Sequence, residues 1–397
     1  MDLLNEDQKM FVDQVRRMVA EKVEPRAAEI DREGEFPWDL KEIFQEMGLL
    51  GLSVPEEYGG CYQGHRYVCL AVEEIAKACV SSSLIVQVQS LGWEPILIGG
   101  NDAQKKKYGP QVASGEKLIS YALTEAGAGS DSAAMHTKAV KKGDRYIING
   151  SKCFISNGPI ANLISLFAMT DSSKGVHGIS GFIVEKDTPG LKVKKVESKM
   201  GIKGSPTGEL VFEDMEVSAE NLIGEEGKGF IYAMKTLDTS RPVIAAQAVG
   251  LAQGALDKAI SYATERVQFG RPISKFQGIS WMLAEMAAKI EAARALTYQA
   301  ADMVTSQNPR RTYMSACCKL MASDIAMEVA TKALQIAGGY GYMTEYPFER
   351  MMRDAKITQI YEGTNEIQKL VISRQLLGEL LPSTNGILLQ YRHMPGP

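Results

Sequence analysis

The sequence predicts a multidomain α+β fold, with an N-terminal helical domain, a middle antiparallel β-domain and a C-terminal helical bundle. Two changes of pattern predict this order: helical periodicity gives way to short β-branched runs near residue 119, and it returns near residue 227. A chain of 397 residues is also too long for one ordinary core. The expected divisions are 1–118, 119–226 and 227–382, followed by an irregular tail at 383–397.

Each region has its own pattern of apolar residues. In the first, Phe11, Val15 and Met18 recur on one face of a predicted helix. In the middle region, β-branched and aromatic runs separated by Gly, Asp and Asn predict strands. Three such runs stand at 146–150, 163–168 and 179–184. The third region has long Ala-, Leu- and Ile-rich helices, which usually pack in a bundle, often at a subunit interface. These run over 244–264, 279–303 and 313–337.

The composition argues against several classes of protein. A formal net charge of −4 gives no electrostatic surface for nucleic acid. No apolar run approaches the roughly 18–20 residues that span a bilayer, so no membrane segment is expected. The acidic N-terminus resembles neither a secretory signal nor a transit peptide, which favours a cytoplasmic protein. The six cysteines form no C-x-x-C pair, so reduced thiols and no metal site are expected.

The most informative segment is 360–366, Ile-Tyr-Glu-Gly-Thr-Asn-Glu. Thr364 is a good helix N-cap, and apolar residues follow it at helical spacing, which predicts that Glu362 lies on the loop before the helix. A carboxylate held there could act as a general base. On the residues alone, an ordinary loop glutamate is the alternative.

The run 127–130, Gly-Ala-Gly-Ser, suggests a cofactor loop of another kind. It is not G-x-G-x-x-G and no βαβ unit surrounds it, which argues against a Rossmann dinucleotide site. Its small residues leave backbone amides free to approach a flat polar ring. A Gly-rich turn at the end of a strand is the alternative interpretation.

Four separated motifs, taken together, closely resemble the acyl-CoA dehydrogenase family of flavoproteins. They are 121–131 (Tyr-Ala-Leu-Thr-Glu-Ala-Gly-Ala-Gly-Ser-Asp), 266–270 (Arg-Val-Gln-Phe-Gly), 335–341 (Gln-Ile-Ala-Gly-Gly-Tyr-Gly) and the Glu362 segment. The resemblance extends from about residue 3 to about residue 380. It is greatest to short-chain, butyryl-like bacterial members.

The resemblance implies an FAD site built from several segments. A further segment, 153–158, is similar to the family's Trp-x-Thr-Asn-Gly motif, with Phe154 for the tryptophan and Ser156 for the threonine. In the family, the arginine that corresponds to Arg266 reaches the pyrophosphate of a neighbouring subunit's FAD. The FAD contacts implied by the resemblance are Tyr121, Leu123, Thr124, Gly129, Ser130, Phe154, Ser156, Arg266, Gln268, Phe269, Gln277, Gln335, Gly338, Gly339, Thr364 and Glu366.

The resemblance also implies a reaction, the α,β-dehydrogenation of an acyl-CoA. Glu362 would remove the α-proton, and flavin N5 would take the β-hydride. A helix N-terminus favours the carboxylate of Glu362, whereas desolvation raises its pKa, and the sequence does not rank the two effects. Some relatives carry the base just before an arginine on an earlier helix, where this chain has Ser240. The implied substrate contacts are Ser130, Asp238, Arg241, Tyr361 and Gly363, although Asp238 and Arg241 could instead cap and pair at a helix start.

The sequence constrains the identity of the acyl group less than it constrains the cofactor or the reaction. The segment 80–91 would line the pocket floor, and no arginine stands between 80 and 95 to hold a distal carboxylate. A short-chain, branched or cyclic acyl group is therefore expected, with Trp93 shaping the pocket. Glu94 is interpreted as a surface glutamate at a helix end, with a second acid–base group as the alternative.

The resemblance implies three partners: the acyl-CoA substrate, an electron-transferring flavoprotein, and further copies of the chain in a homotetramer arranged as a dimer of dimers. Two alternatives use the same site, an acyl-CoA oxidase and an enoyl-CoA reductase. A third is a non-catalytic flavoprotein of the same fold. The presence of Glu362 and the acidic charge balance argue against this last alternative.

Overall fold

The computed structural model describes residues 4–378, so the tail predicted at 383–397 lies outside the described residues. Six α-helices form the first region. Asn5 caps the first helix in a capping box with Gln8, which satisfies backbone N–H groups that a helix start leaves free. The helices are α1 Glu6–Met18, α2 Ala27–Glu33, α3 Trp38–Glu46, α4 His65–Ala78, α5 Val80–Gly99 and α6 Asp102–Ala113. Val15 and Met18 lie in their core, as the helical spacing predicts, together with Leu40 and Phe44.

The middle region is an eight-stranded sheet. Its strands are β1 Ile119–Ala122, β2 Lys138–Lys142, β3 Arg145–Ser156, β4 Leu163–Met169, β5 Ile179–Glu185, β6 Leu191–Val196, β7 Thr207–Ser218 and β8 Leu222–Ile223. The order is β6-β7-β3-β2-β4-β5-β8, and β1 pairs with β4. Pairing is mostly antiparallel, as predicted, but β1 and β2 each pair with β4 in parallel. The sequence missed these parallel pairs because strand direction depends on the route of the chain between strands, which local patterning does not record.

The third region is built around one long helix. Its elements are α7 Gly229–Glu265, β9 Val267–Gln268, β10 Arg271–Pro272, α8 Gln277–Thr305, α9 Arg311–Ala337, α10 Phe348–Thr358 and α11 Asn365–Leu377. The predicted order of helical, β and helical regions is therefore confirmed. α7 begins at Gly229, earlier than its Ala-rich part indicates, so that it carries residues 238–241 in its interior.

Small residues allow α7 to pack closely against α4. A Cβ at Gly250 would lie 2.2 Å from the carbonyl oxygen of Glu73, and one at Gly254 would lie 2.0 Å from that of Lys77. Only glycine fits at these contacts. This approach, with α5 and α9 also packed on α7, brings residues from three helices to the loop before α11.

A separate apolar cluster joins the first helices to the sheet. Trp93 and Ile96 of α5 pack with Tyr108 of α6, Ile119 of β1 and Leu163 of β4. The cluster fixes the sheet against the helical layer that carries the candidate site. Between residues 4 and 378, no helix has both the length and the apolar character required to cross a membrane.

Candidate active site

The loop between α10 and α11 carries Glu362, as the sequence predicts. Thr364 caps α11 by accepting a hydrogen bond from the backbone N–H of Ile367 at 3.3 Å, which confirms the predicted N-cap. Glu362 itself has a φ of 52°, in the left-handed region that non-glycine residues rarely adopt. Such strain at a polar side chain is a feature of functional sites.

Two side chains from different helices hold the Glu362 carboxylate. The Nε2 of Gln87, on α5, donates to Oε1 at 3.3 Å, and the hydroxyl of Ser240, on α7, donates to Oε2. Both carboxylate oxygens are therefore fixed by neutral donors. Gln87 falls within the predicted pocket-floor segment 80–91, but no sequence signal marks it out, and at Ser240 the sequence indicates only that a base is absent.

Burial decides the protonation behaviour of this carboxylate. The pKa of Glu362 lies above its ordinary value because burial disfavours the charged form. The donors Ser240 and Gln87, and the cations Arg241 and Lys319, act in the opposite direction without overcoming burial. Desolvation is therefore the largest of these effects on the pKa of Glu362.

Two side chains fix the turn at Gly363 by hydrogen bonds to its carbonyl oxygen. Lys319 Nζ, on α9, donates to the Gly363 carbonyl at 2.9 Å, and Gln368 Nε2 donates to the same oxygen at 2.8 Å. Gly363 has a φ of 91°, and a Cβ there would lie 2.7 Å from Gln368 Nε2. Glycine is thus required by its backbone and by its packing. Nothing in the sequence pattern points to Lys319 or Gln368.

Asp238 and Arg241 form an ion pair next to Glu362. Arg241 Nη1 lies 2.7 Å from Asp238 Oδ1, and the Thr312 hydroxyl donates to Asp238 Oδ2 at 2.7 Å. The pairing given as the alternative to a substrate contact is present, but it lies within α7 instead of at a helix start. Arg241 is buried, and its Nε has no hydrogen-bond partner among the described residues. Buried donors without a partner are rare in folded proteins and call for an explanation, of which a ligand bound near Arg241 is one.

Two tyrosines border the carboxylate. The Tyr361 hydroxyl donates to Gln247 Oε1, and Gln247 in turn donates to Ser83. Tyr121 donates to the Ala233 carbonyl at 3.4 Å, and burial raises its pKa, with the negative charge of Glu362 adding to the effect. β1 and the Glu362 loop therefore meet at one place in the fold.

The predicted FAD contacts of the sheet domain, at 121–130 and 153–158, belong to one hydrogen-bonded backbone unit, which we call the flavin wall. The backbone N–H of Cys153 donates to the Thr124 carbonyl at 2.9 Å, and Lys152 Nζ donates to the Leu123 carbonyl at 2.8 Å. Lys152 is fully buried and also pairs with Glu125 at 2.8 Å. Strands β3 and β7 change register between Lys152 and Ile155, which is a bulge next to Phe154.

The surface of this unit is open. Phe154 has a φ of 58° and leaves 65% of its surface exposed, whereas Ser156 is half-buried. Ser130 is exposed, and a Cβ at Gly129 would meet no atom within 4 Å. The predicted contacts thus face free space with an aromatic ring, hydroxyl groups and backbone.

A second set of predicted contacts lies in the C-terminal domain, around a cavity of about 790 Å³. Arg266, Gln268 and Phe269 line it from one side, and Gly338 and Gly339 line it from the other. The Arg266 guanidinium lies 5.3 Å from the ring centre of Tyr340. Gln277, Gln335 and Glu366 are exposed, at the start of α8, the end of α9 and the first turn of α11.

The interpretation of Glu94 is wrong. It lies within α5, it is only 6% exposed, and burial raises its pKa to about 7 against the weaker effect of the nearby Thr239 side chain. Glu94 is not at a helix end, because α5 continues through Pro95 to Gly99. Trp93 is fully buried in the cluster that joins α5, α6 and the sheet, so packing between domains accounts for its bulk.

The chain offers a suitable surface for a large flat cofactor with phosphates. Backbone at Gly127, Gly129, Gly338 and Gly339 meets open space where a Cβ would stand. Phe269 leaves 93% of its surface exposed, a large cost for an apolar ring that nothing covers. Arg266 supplies a cation for phosphate. The residues present therefore fit FAD.

The described residues contain neither a cluster of metal ligands nor a disulfide. Between residues 4 and 378, no group of three or more His, Cys, Asp and Glu side chains is arranged to hold a metal ion. All six cysteines are free thiols.

Comparison with known proteins gives the class and then the family. The acyl-CoA dehydrogenase N-terminal, middle and C-terminal domain models match residues 5–116, 120–215 and 227–377. The short-chain specific acyl-CoA dehydrogenase of Clostridium acetobutylicum is 50% identical over 374 residues, covering 94% of this chain and 98% of that protein. Cyclohex-1-ene-1-carbonyl-CoA dehydrogenase of Syntrophus aciditrophicus is 47% identical over 378 residues, covering 95% and 91%.

A solved structure described as the electron transferring flavoprotein of Acidaminococcus fermentans contains a similar chain. It is 48% identical, with a TM-score of 0.92, and the match covers 94% of this chain and 98% of that one. The fold and site thus define an FAD-dependent oxidoreductase. The chain belongs to the acyl-CoA dehydrogenase family, and the predicted similarity to short-chain members is confirmed.

Proposed function

We propose that the enzyme dehydrogenates a short-chain, branched or cyclic acyl-CoA to its α,β-enoyl-CoA, with Glu362 as the base that removes the α-proton. One observation carries the proposal: a half-buried carboxylate, whose pKa is raised by desolvation, is fixed by Gln87 and Ser240 on a strained turn. A raised pKa makes the carboxylate a stronger base than an ordinary glutamate, which removal of a weakly acidic proton requires.

The reaction removes two hydrogens from adjacent carbons. The Glu362 carboxylate accepts the α-proton, and the electron pair left on the α-carbon forms the new double bond. Bound FAD would supply the acceptor for the hydride that leaves the β-carbon. The backbone N–H of Glu362 would donate to the thioester carbonyl, which stabilises the negative charge that develops there.

The remaining predicted contacts have separate roles. The edge of the flavin would be lined by Tyr121, Leu123, Thr124, Gly129 and Ser130. Phe154 and Ser156 would cover its ring. Ser130, Asp238, Arg241, Tyr361 and Gly363 would bind the acyl-CoA; the unpartnered Nε of buried Arg241 supports its role. The FAD site would be completed by the residues that line the C-terminal cavity and by others near it. The lining residues are Arg266, Gln268, Phe269, Gly338 and Gly339, and the others are Gln277, Gln335, Thr364 and Glu366.

Assembly and electron transfer follow from the same proposal. The proposed FAD contacts fall into two groups, one in the sheet domain and one in the C-terminal domain. An FAD site shared between two subunits would bring the two groups together around one cofactor. Exposed Phe269 would then be covered by a partner in a homotetramer. An electron-transferring flavoprotein would take the electrons; the similar chain in the Acidaminococcus structure supports that choice.

The acyl group is proposed from the relatives together with this chain's residues. One relative is named for short-chain substrates and one for a cyclic acyl-CoA. The region 80–95 carries no arginine that would hold a distal carboxylate. A short or cyclic apolar acyl group fits both observations.

The test is anaerobic absorbance of the purified flavoprotein with a panel of acyl-CoAs. Butyryl, hexanoyl, isovaleryl, glutaryl and cyclohexanoyl thioesters would be compared. Loss of the oxidised flavin band with a short or cyclic member, but not with glutaryl-CoA, is expected. A flavin band unchanged by every member would contradict the proposal, and rapid reoxidation by oxygen would indicate an oxidase.

A further inference from the structure

Lys319 is a buried cation beneath the Glu362 turn. It lies on α9, its side chain is fully enclosed, and it is among the largest of the fully buried side chains. Its ammonium group donates to the Gly363 carbonyl and to Asn365 Oδ1, each at 2.9 Å. Both acceptors are neutral oxygens, which a neutral donor could also satisfy. The hydrogen bonds alone therefore do not explain a charged group at this place.

The turn above Lys319 needs support. Glu362 and Gly363 both have positive φ, of 52° and 91°. The Asn365 side chain, which receives one Lys319 bond, is itself fixed by Ser323 at 2.9 Å and Asp324 at 2.8 Å. Lys319 thus connects α9 to the turn through a side chain that is already held in place. Loss of the ammonium group would remove one of the two side-chain hydrogen bonds to the Gly363 carbonyl.

The charges around Lys319 come from four elements. Glu362 faces it from the turn, Arg241 from α7, Asp324 from its own helix and Glu366 from α11. Burial lowers the pKa of Lys319 to about 8, while Glu362 acts to raise it. In return, Lys319 is one of the two cations that lower the pKa of Glu362; Arg241 is the other, and Asp238 already pairs with it.

We propose that Lys319 is a positioning residue for Glu362, fixing the turn that presents the carboxylate and supplying the buried positive charge that favours its ionised form. This inference rests on the proposed role of Glu362 as the base. Lys319 touches neither substrate nor cofactor in this arrangement, and it acts through the turn and through its electric field.

Removal of the charge should change how activity depends on pH. In Lys319→Met, Glu362 would lose a nearby cation, so the acid limb of the rate of substrate-dependent flavin reduction should move to higher pH by about one pH unit. At a pH on that limb the rate would fall by about tenfold, because the ionised fraction of a carboxyl group below its midpoint changes by that factor for each pH unit. Lys319→Arg keeps the charge and should keep the midpoint near that of the unmodified enzyme.

The experiment is the pH profile of anaerobic flavin reduction, measured on FAD-loaded protein with the acyl-CoA that bleaches it. Arg294→Met is the matched control, since Arg294 is a largely buried cation that pairs with Glu73 between α8 and α4. It should lower thermal stability without moving the midpoint. An unshifted Lys319→Met midpoint, or an equal shift in the control, would overturn the inference.

Two further variants separate the possible failures. Lys319→Gln, which keeps a neutral hydrogen-bond donor, would be measured in place of Lys319→Met if the Met variant does not bind FAD. If neither variant binds FAD, the role of Lys319 is in folding, and the proposal is overturned. An active Glu362→Gln would overturn the proposed function itself. An inactive Glu362→Gln with an unshifted Lys319→Met would overturn only the inference about Lys319.

Discussion

The hydroxyl of Ser240 donates a hydrogen bond to Oε2 of Glu362. Ser240 immediately precedes Arg241 on α7, which is the position where the family resemblance places the base of some relatives. In this chain the position holds a donor to the carboxylate on the other loop. The two places are neighbours in space, although 122 residues separate them in sequence. The proposed base of this chain therefore lies next to the position that the resemblance assigns to the base of some relatives.

Ser240→Ala should move the acid limb of turnover to higher pH. The hydroxyl favours the ionised carboxylate and so lowers the pKa of Glu362, against the larger effect of burial. Without the hydroxyl the base is protonated at a higher pH, and the limb should move by about one pH unit. Turnover followed between about pH 5 and pH 9 would measure the change. Ser306→Ala, an exposed serine after α8, is the control, and equal profiles for both variants would contradict the argument.

Glu362→Gln should abolish turnover while leaving FAD bound. The amide keeps the size of the side chain but accepts no proton, so the rate should fall by at least about a thousandfold, as expected for loss of an essential base. Flavin content, ligand-induced spectral change and rate would be measured on the same preparation. Exposed Glu345→Gln should behave like the unmodified enzyme. Substantial turnover by Glu362→Gln would show that another group is the base.

Glu94→Gln should stabilise the protein at high pH. The pKa of Glu94 is about 7 in the folded chain, above the ordinary carboxyl value, so ionisation disfavours folding. The penalty is absent below about pH 4, grows as pH rises and is complete above pH 7, at about 3 kcal/mol. Unfolding free energies at pH 5 and pH 8 would be compared with those of exposed Glu116→Gln. A gain that does not grow with pH would refute the prediction.

Lys152→Met should destabilise the sheet domain and weaken FAD retention. The substitution removes the lysine that pairs with buried Glu125, leaving it only the hydrogen bonds from the His136 and Thr137 backbone. It also removes the Lys152 hydrogen bond to the Leu123 carbonyl, next to the proposed flavin contacts. Breaking a buried pair on one side costs about 3–5 kcal/mol. The melting temperature and the ratio of flavin to protein absorbance would report the two effects. Exposed Lys142→Met is the control; a Lys152 variant with unchanged stability and flavin content would contradict the role.

Much of the fold was predictable because its signals are local. Helical spacing around Val15 and β-branched runs in β4 and β5 depend on near neighbours in sequence, and both predictions hold in the structure. The Thr364 cap is equally local. The prediction for Glu94 is wrong for the converse reason. A proline after it suggests an ending, whereas packing against α7 and the sheet continues α5 to Gly99 and buries the carboxyl group.

The sequence by itself determined the order of domains, the family and the loop that carries Glu362, because these are encoded in contiguous motifs. Only the tertiary structure decided what surrounds the carboxylate. Gln87 of α5 and Ser240 of α7 donate to the carboxylate, and Lys319 of α9 donates to the carbonyl of the adjacent Gly363. Their separation in sequence leaves no pattern that links them. Burial, which raises the pKa of Glu362, is likewise a property of packed helices and not of any single segment.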